Sequence, residues 1–321
     1  MYWHLKTLTL FFLILRTFLA LQSTLILRTW VLLELRTLRF IFFLALESVF
    51  FDSFQEIIKL FLIQAIRGII LLITFVAKDL SSSRLIRFII ILILLFKIGA
   101  APFHFWLIKL SEYLTWRRLF LFLTVQKFIP LQIISSLAHV SLNLISLTSF
   151  IVAGYIRFFL INLKNLIIVS SLFFIGIIFL VILNSIIWIE LLILYSFIFL
   201  PLNLYFWLNS LQMTSIRKPS STRFDLLIVC LFIVSLSGLP PFPGFFIKYF
   251  WLLNISFNVL IITFFLLVSR LIIYMYLGFI FSSIRNYSQN FLLTRTKLDY
   301  STLIIFSIFR LRFFRACIYF F

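Results

Sequence analysis

Residues 96–106 read Phe96-Lys97-Ile98-Gly99-Ala100-Ala101-Pro102-Phe103-His104-Phe105-Trp106. Lys97 closes an apolar run of about a dozen residues, Gly99 and Pro102 follow closely, and the apolar pattern resumes past His104 and Trp106. Proline lacks the N–H donor a helix needs, and its ring strikes the preceding turn. The stretch reads as a membrane helix broken near its middle, with a cation at the break. A charge at bilayer depth costs at least about 2.5–3.5 kcal/mol on insertion scales and is a functional candidate by default. Irregular backbone at that depth survives only inside protein or beside water.

Composition sets the class around this stretch. Of 321 residues 64% are hydrophobic and 45 are phenylalanine, with a mean hydropathy of +1.21, more apolar surface than a soluble core can use. Because about 20 apolar residues cross a bilayer as a helix, the chain is expected to be an all-α polytopic membrane protein. Its apolar runs are continuous rather than alternating, which argues against a β-barrel. The net charge of +19 is scattered through apolar sequence without a basic tail. That distribution points to anionic lipid or acidic neighbouring subunits as partners rather than nucleic acid. Cys230 and Cys317 supply neither a disulfide framework nor metal-ligand spacing. Residues 1–15 read as a first membrane helix without a small-residue cleavage site.

About eleven spans are expected, near 5–26, 29–50, 57–78, 85–110, 118–141, 144–162, 165–186, 187–209, 225–253, 257–282 and 300–320, in one transmembrane domain over 1–321. Glu34 lies early in the second span, where it reads either as an interfacial carboxylate or as a partner for a buried cation. Lys59 can snorkel toward the interface. Lys127 lies roughly ten residues from the nearer end of its span, about 15 Å at 1.5 Å per residue, beyond the reach of a snorkelling side chain. Arg117 and Arg118 precede that apolar run and read as interfacial. In the ninth span Gly238, Pro240, Pro241, Pro243 and Gly244 preclude a continuous helix, and Lys248 follows. Two interrupted spans, each with a lysine nearby, match the arrangement in which broken helices mark the ion site of secondary transporters.

Several stretches resemble subunit 2 of NADH dehydrogenase, the respiratory complex I, a member of the antiporter-like membrane subunits. Lys97, Gly99, Ala101, Pro102, Phe103, His104, Phe105 and Trp106 match that family's strongest signature. Gln126-Lys127 with Pro130 is similar to the Gln-Lys-x-x-Pro of the next helix. Gly238, Leu239, Pro240, Pro241, Gly244, Phe245 and Lys248 match its second signature. Trp30 with Glu34, and Lys59, Phe61, Leu62 and Gln64, match shorter ones in the right order. The resemblance covers roughly residues 30–280 and implies an antiporter-like core over about 28–282, with inverted repeats and a further helix near 300–320.

The resemblance implies a core membrane-arm subunit whose proton path runs through Glu34, Lys97, Lys127 and Lys248, with His104 as a further candidate. The helix breaks at Gly99, Pro102, Gly238, Pro240, Pro241 and Gly244 would hold water along it. It places no redox centre on this chain, which has no Gly-rich dinucleotide loop and no iron–sulfur spacing. FMN, the iron–sulfur clusters and ubiquinone would belong to other subunits. The implied partners are subunit 4, the subunit 4L side and anionic lipid such as cardiolipin, in the mitochondrial inner membrane. A stand-alone cation/proton antiporter and a scaffold with a degenerate channel are the competing readings. Phe174 stands where the family often has histidine, Asn165 where it has a second basic residue, and Tyr276 where it usually has arginine. Arg16, Arg36, Arg39, Arg67 and Arg270 fall where the family is neutral. Either they are inserted and paired with polar neighbours or lipid phosphates, or an organellar codon was read with the wrong table.

Overall fold

A chain with no water beside it must satisfy its backbone internally, and helices do so within one segment. The computed structural model describes residues 26–47, 51–80, 84–137, 142–156, 162–182, 187–208, 223–240, 242–253 and 259–294, with scattered positions between 9 and 19. Among these residues there are helices and no strands. In chain order they are α1 (Ile26–Glu47), α2 (Phe51–Leu80), α3 (Arg84–Ile98), α4 (Phe105–Tyr113), α5 (Trp116–Leu123), a 3-10 turn (Val125–Lys127), α6 (Phe128–Leu137), α7 (Leu142–Ile156), α8 (Leu163–Val181), α9 (Ile187–Leu208), α10 (Arg223–Ser237), α11 (Pro243–Leu253) and α12 (Val259–Thr294).

Five stretches are individually long and apolar enough to cross a membrane: Phe54–Lys78, Trp116–Leu137, Leu163–Val181, Ile187–Trp207 and Ile261–Phe281. The helix α1 has the length but carries Arg28, Glu34, Arg36 and Arg39. The expected first span is only sparsely described, and the expected helix near 300–320 lies outside the described residues, as does Pro241.

The bundle is built around α8, every residue of which is buried. A helix that is apolar all round belongs inside. It packs along α7, and α4, α9 and α12 complete its surroundings through their own contacts with α7, α8 or both. Ser170 and Ser171 donate to the carbonyls of Ile167 and Ile168 in their own helix. By contrast α2 lies at the edge, with Phe61, Leu62, Ile66, Ile69 and Ile73 exposed.

The two expected interruptions are present. The first ends α3 at Ile98 and restarts as α4 at Phe105, and the second separates α10 from α11. Each opens on a glycine in the left-handed region, Gly99 and Gly238, both at φ 74°. An L side chain pays about 1–2 kcal/mol there. The Ala101–Pro102 peptide is cis.

A third interruption, between α5 and α6, was not expected. Helical hydrogen bonding stops at Thr124 (φ −110°, ψ −76°), and Val125–Lys127 form a 3-10 turn. The physical cause is Pro130, which cannot donate to the carbonyl of Gln126 and crowds it. Thr124 adds to the disruption by turning its hydroxyl back on the Phe120 carbonyl at 2.7 Å. Lys127 therefore sits at a break, like Lys97, rather than in the continuous helix that its apolar neighbours suggest.

Candidate functional site: a buried carboxylate–lysine pair and lysines at the helix breaks

The helices α1, α2 and α3 stand side by side and bring their charges together. Lys97 Nζ donates to Glu34 Oε1 in an ion pair spanning 63 positions of sequence. The lysine side chain is 2% exposed and that of Glu34 19%, so the pair is held largely away from solvent. Thr37 Oγ1 donates to the Glu34 carbonyl at 2.8 Å and stands 3.4 Å from its Oε2. Of the two readings open for Glu34, the carboxylate partner of a buried cation is the one realised.

Beside the pair lies a cavity lined by Arg36, Thr37, Gln64, Lys97, Gln126 and Pro130, with about 420 Å³ of space between atoms including its open mouth. It touches Lys97 and also Gln126, in the 3-10 turn that carries Lys127. Lys127 is 2% exposed, and its Nζ has no hydrogen-bond partner among the described residues. Leu33, Phe40, Ile41, Leu60 and Phe122 make up the rest of its wall, so water held there depends on the few polar groups among them.

Lys248 belongs to the second break. Its Nζ donates to the Ser237 carbonyl, the last residue of α10, at 2.6 Å. A cation from α11 thus caps the negative end of the half-helix preceding it. Gly238 leaves room for this arm: a Cβ there would lie 2.7 Å from Lys248 Cε. The helix α9 packs against both α5 and α11. Along it, Tyr195 and Asn203 are buried. His104 is 2% exposed at the head of α4, with its ring 4.1 Å from that of Phe105. It is not among the residues lining the cavity beside Lys97.

Lys59 is a surface residue. It pairs with Glu56 one turn away at 2.6 Å, and its side chain is 62% exposed. Arg118, by contrast, is buried within the bundle. The arginines at unexpected positions divide. Arg67 donates to the Phe96 carbonyl at 2.9 Å, with its guanidinium 3.6 Å from the Phe96 ring centroid and 4.8 Å from that of Trp106. Arg270 faces outward on α12. Arg36 is 1% exposed, and none of its three guanidinium nitrogens meets an acceptor among the described residues.

A polar clamp at the far end of α4 carried only a weak signal in sequence. Lys164 Nζ donates to the Leu114 carbonyl at 2.6 Å, and Ser111 Oγ donates to Asn165 Oδ1 at 2.7 Å. Both bonds tie the first turn of α8 to the end of the second half of the broken helix. Asn165, which stands where the resemblance led us to expect a second basic residue, is used here as an acceptor that a lysine could not supply. Phe174 stacks on Tyr195 with centroids 4.4 Å apart.

No family model matches the chain. Similarity to individual proteins decides the family. The NADH-ubiquinone oxidoreductase chain 2 of Artemia franciscana is 30% identical over 243 residues, covering 72% of this chain and 73% of that protein. The chain belongs to the NADH-ubiquinone oxidoreductase chain 2 family. Other chain 2 proteins extend the likeness: that of Anopheles gambiae is 28% identical over 299 residues, 88% of this chain and 86% of its own length. That of Didelphis virginiana is 28% identical over 309 residues, 87% of this chain and 86% of its own. The fold is shared with a chain of respiratory complex I from Thermus thermophilus at a TM-score of 0.73 and 20% identity, over 87% of this chain and 70% of that one. A chain of the membrane-bound sulfane sulfur reductase, an archaeal respiratory membrane complex, gives a TM-score of 0.64 at 15% identity, over 79% of this chain and 61% of that one. The buried pair and the two glycine-opened breaks are thus features of a chain 2 family member.

Proposed function

We propose that this chain is a core membrane-arm subunit of the proton-translocating NADH:ubiquinone oxidoreductase and carries protons along Glu34, Lys97, Lys127 and Lys248. The buried Glu34–Lys97 pair, with a cavity beside it that touches both Lys97 and Gln126, the neighbour of Lys127, is the observation that carries this reading. Desolvation disfavours a charged lysine and a neighbouring carboxylate favours it, so the proton held by a buried lysine depends on whether its partner is in place. Opening the pair releases the Lys97 proton toward Lys127. Water in the cavity and at the breaks passes it on toward Lys248. His104 serves as a polar wall beside the first break rather than as a step.

The chain itself supplies proton handling and no redox centre. FMN, iron–sulfur clusters and ubiquinone belong to other subunits. Its neighbours are the antiporter-like subunit 4 and the subunit 4L side, with anionic lipid such as cardiolipin against its basic surface, in the mitochondrial inner membrane. Lys97→Ala is expected to lower NADH-driven proton translocation far more than it lowers assembly. Full translocation in a complex carrying that substitution would end the proposal. Migration on a native gel far above the mass of the single chain separates a subunit from a free cation/proton antiporter, and undiminished pumping after loss of Lys127 would favour a scaffold.

A further inference from the structure

Gly68 lies in the interior of α2, a 30-residue helix, one position after Arg67. Glycine is the poorest helix former short of proline, so its presence there calls for a use of the space. A Cβ at this position would collide with Glu34 Oε1 and would fall 2.6 Å from Cδ and 2.7 Å from Oε2. Ordinary contact between such atoms begins near about 3.5 Å. The Glu34 carboxylate therefore occupies the volume that a side chain at position 68 would fill. The same residue holds the two helices in register, since Trp30, one turn before Glu34 on α1, donates its Nε1–H to the Gly68 carbonyl at 3.1 Å.

We propose that Gly68 is a positioning residue that seats the Glu34 carboxylate against Lys97. Three sides of that carboxylate are then accounted for: Lys97 in front, the Thr37 hydroxyl on its own helix, and the bare backbone of Gly68 behind. This rests on the reading of Glu34 and Lys97 as the first pair of the proton path. The atoms a methyl group would strike are the free end of a flexible side chain. Alanine at position 68 consequently leaves the helices packed and moves the carboxylate by about 1 Å, the distance from collision to ordinary contact. A shift of that size at a reacting group can cost up to about 100-fold in rate.

The test is a cycle of Gly68→Ala, Glu34→Ala and the double variant in the whole membrane-embedded complex. Gly68→Ala is expected to assemble at the wild-type level on a native gel and to translocate protons roughly 10- to 100-fold more slowly. In the Glu34→Ala background the same substitution is expected to change nothing further, because the group it displaces is gone. Wild-type translocation by Gly68→Ala would overturn the proposal, and so would an equal loss of assembly in both backgrounds. If Glu34→Ala alone pumps normally, the proton-path reading fails. The seat is then judged by the thermal dissociation of the complex. Gly68→Ala should lower the dissociation temperature only while Glu34 is present, and equal lowering in both backgrounds overturns it.

Discussion

At the scale of single residues, the fold treats formally similar charges very differently. Glu34 and Lys97 neutralise each other, and Lys248 binds a helix end. Arg67, with two guanidinium nitrogens that meet no acceptor among the described residues, finds a carbonyl for the third and two aromatic faces. Arg36 has none of these among the described residues. A guanidinium at the centre of a membrane helix costs about 2.5–3.5 kcal/mol on insertion scales, so Arg36→Ser is expected to raise the thermal dissociation temperature of the assembled complex. A fall instead would mean that another chain or a lipid phosphate supplies the missing acceptor. The mass of the peptide across residue 36 in the natural protein bears on the same point. A residue other than arginine there would assign the codon to a different table and remove the buried cation altogether.

At the scale of elements, the breaks bring lysines to helix ends: Lys97 lies in the last turn of α3, and Lys248 binds the last carbonyl of α10. In the second break, Gly238 adopts φ 74°, and a Cβ there would lie 2.7 Å from Lys248 Cε and 3.0 Å from the Gly244 carbonyl oxygen. Gly238→Ala is expected to cost about 1–2 kcal/mol of stability from backbone strain alone and to lower translocation by moving the Lys248 arm. Thermal dissociation and proton uptake measured on one preparation check both halves. Gly278→Ala is the control. It lies on an exposed face of α12, its Cβ would meet nothing within 4 Å, and it should stabilise the helix by about 0.5–1 kcal/mol. The breaks at Gly99 and Gly238 were legible in sequence, because glycine beside proline is a local instruction. The one at Thr124 was less so. Pro130 was visible, but an interior proline can kink a helix without ending it. The helix α9 runs on through Pro201.

At the scale of the whole molecule, the bundle depends on α8 lying close against α7. A Cβ on Gly176 would strike Ser149 Oγ and come within 2.7 Å of the Phe150 ring. Phe150 in turn packs edge-on to Phe265 of α12, with centroids 6.0 Å apart. Gly176→Ala is expected to cost about 1–3 kcal/mol by overpacking, and Gly176→Leu to abolish assembly, both read as the amount of mature complex on a native gel. Wild-type assembly of the leucine variant would show that α7 and α8 part without consequence. The clamp of Lys164 and Asn165 on the end of α4 belongs to this scale too. It holds the second half of the first broken helix against the buried centre of the bundle.

The sequence by itself determined the class of the protein and the positions of two of its breaks. These follow from local chemistry: continuous apolar runs demand a bilayer, and glycine and proline end helices. It also singled out Glu34, Lys97, Lys127 and Lys248 and placed the chain near its family. Only the tertiary structure decided which charges meet. A residue's bearing around a helix turns by about 100° per position, so whether a side chain faces a partner, a cavity or lipid depends on how each helix is rotated and tilted against its neighbours. For that reason Glu34 was legible as a candidate but its contact with Gly68 was not. Arg36 and Arg67 read alike as strings of letters, yet only Arg67 finds a carbonyl and aromatic rings in the folded bundle.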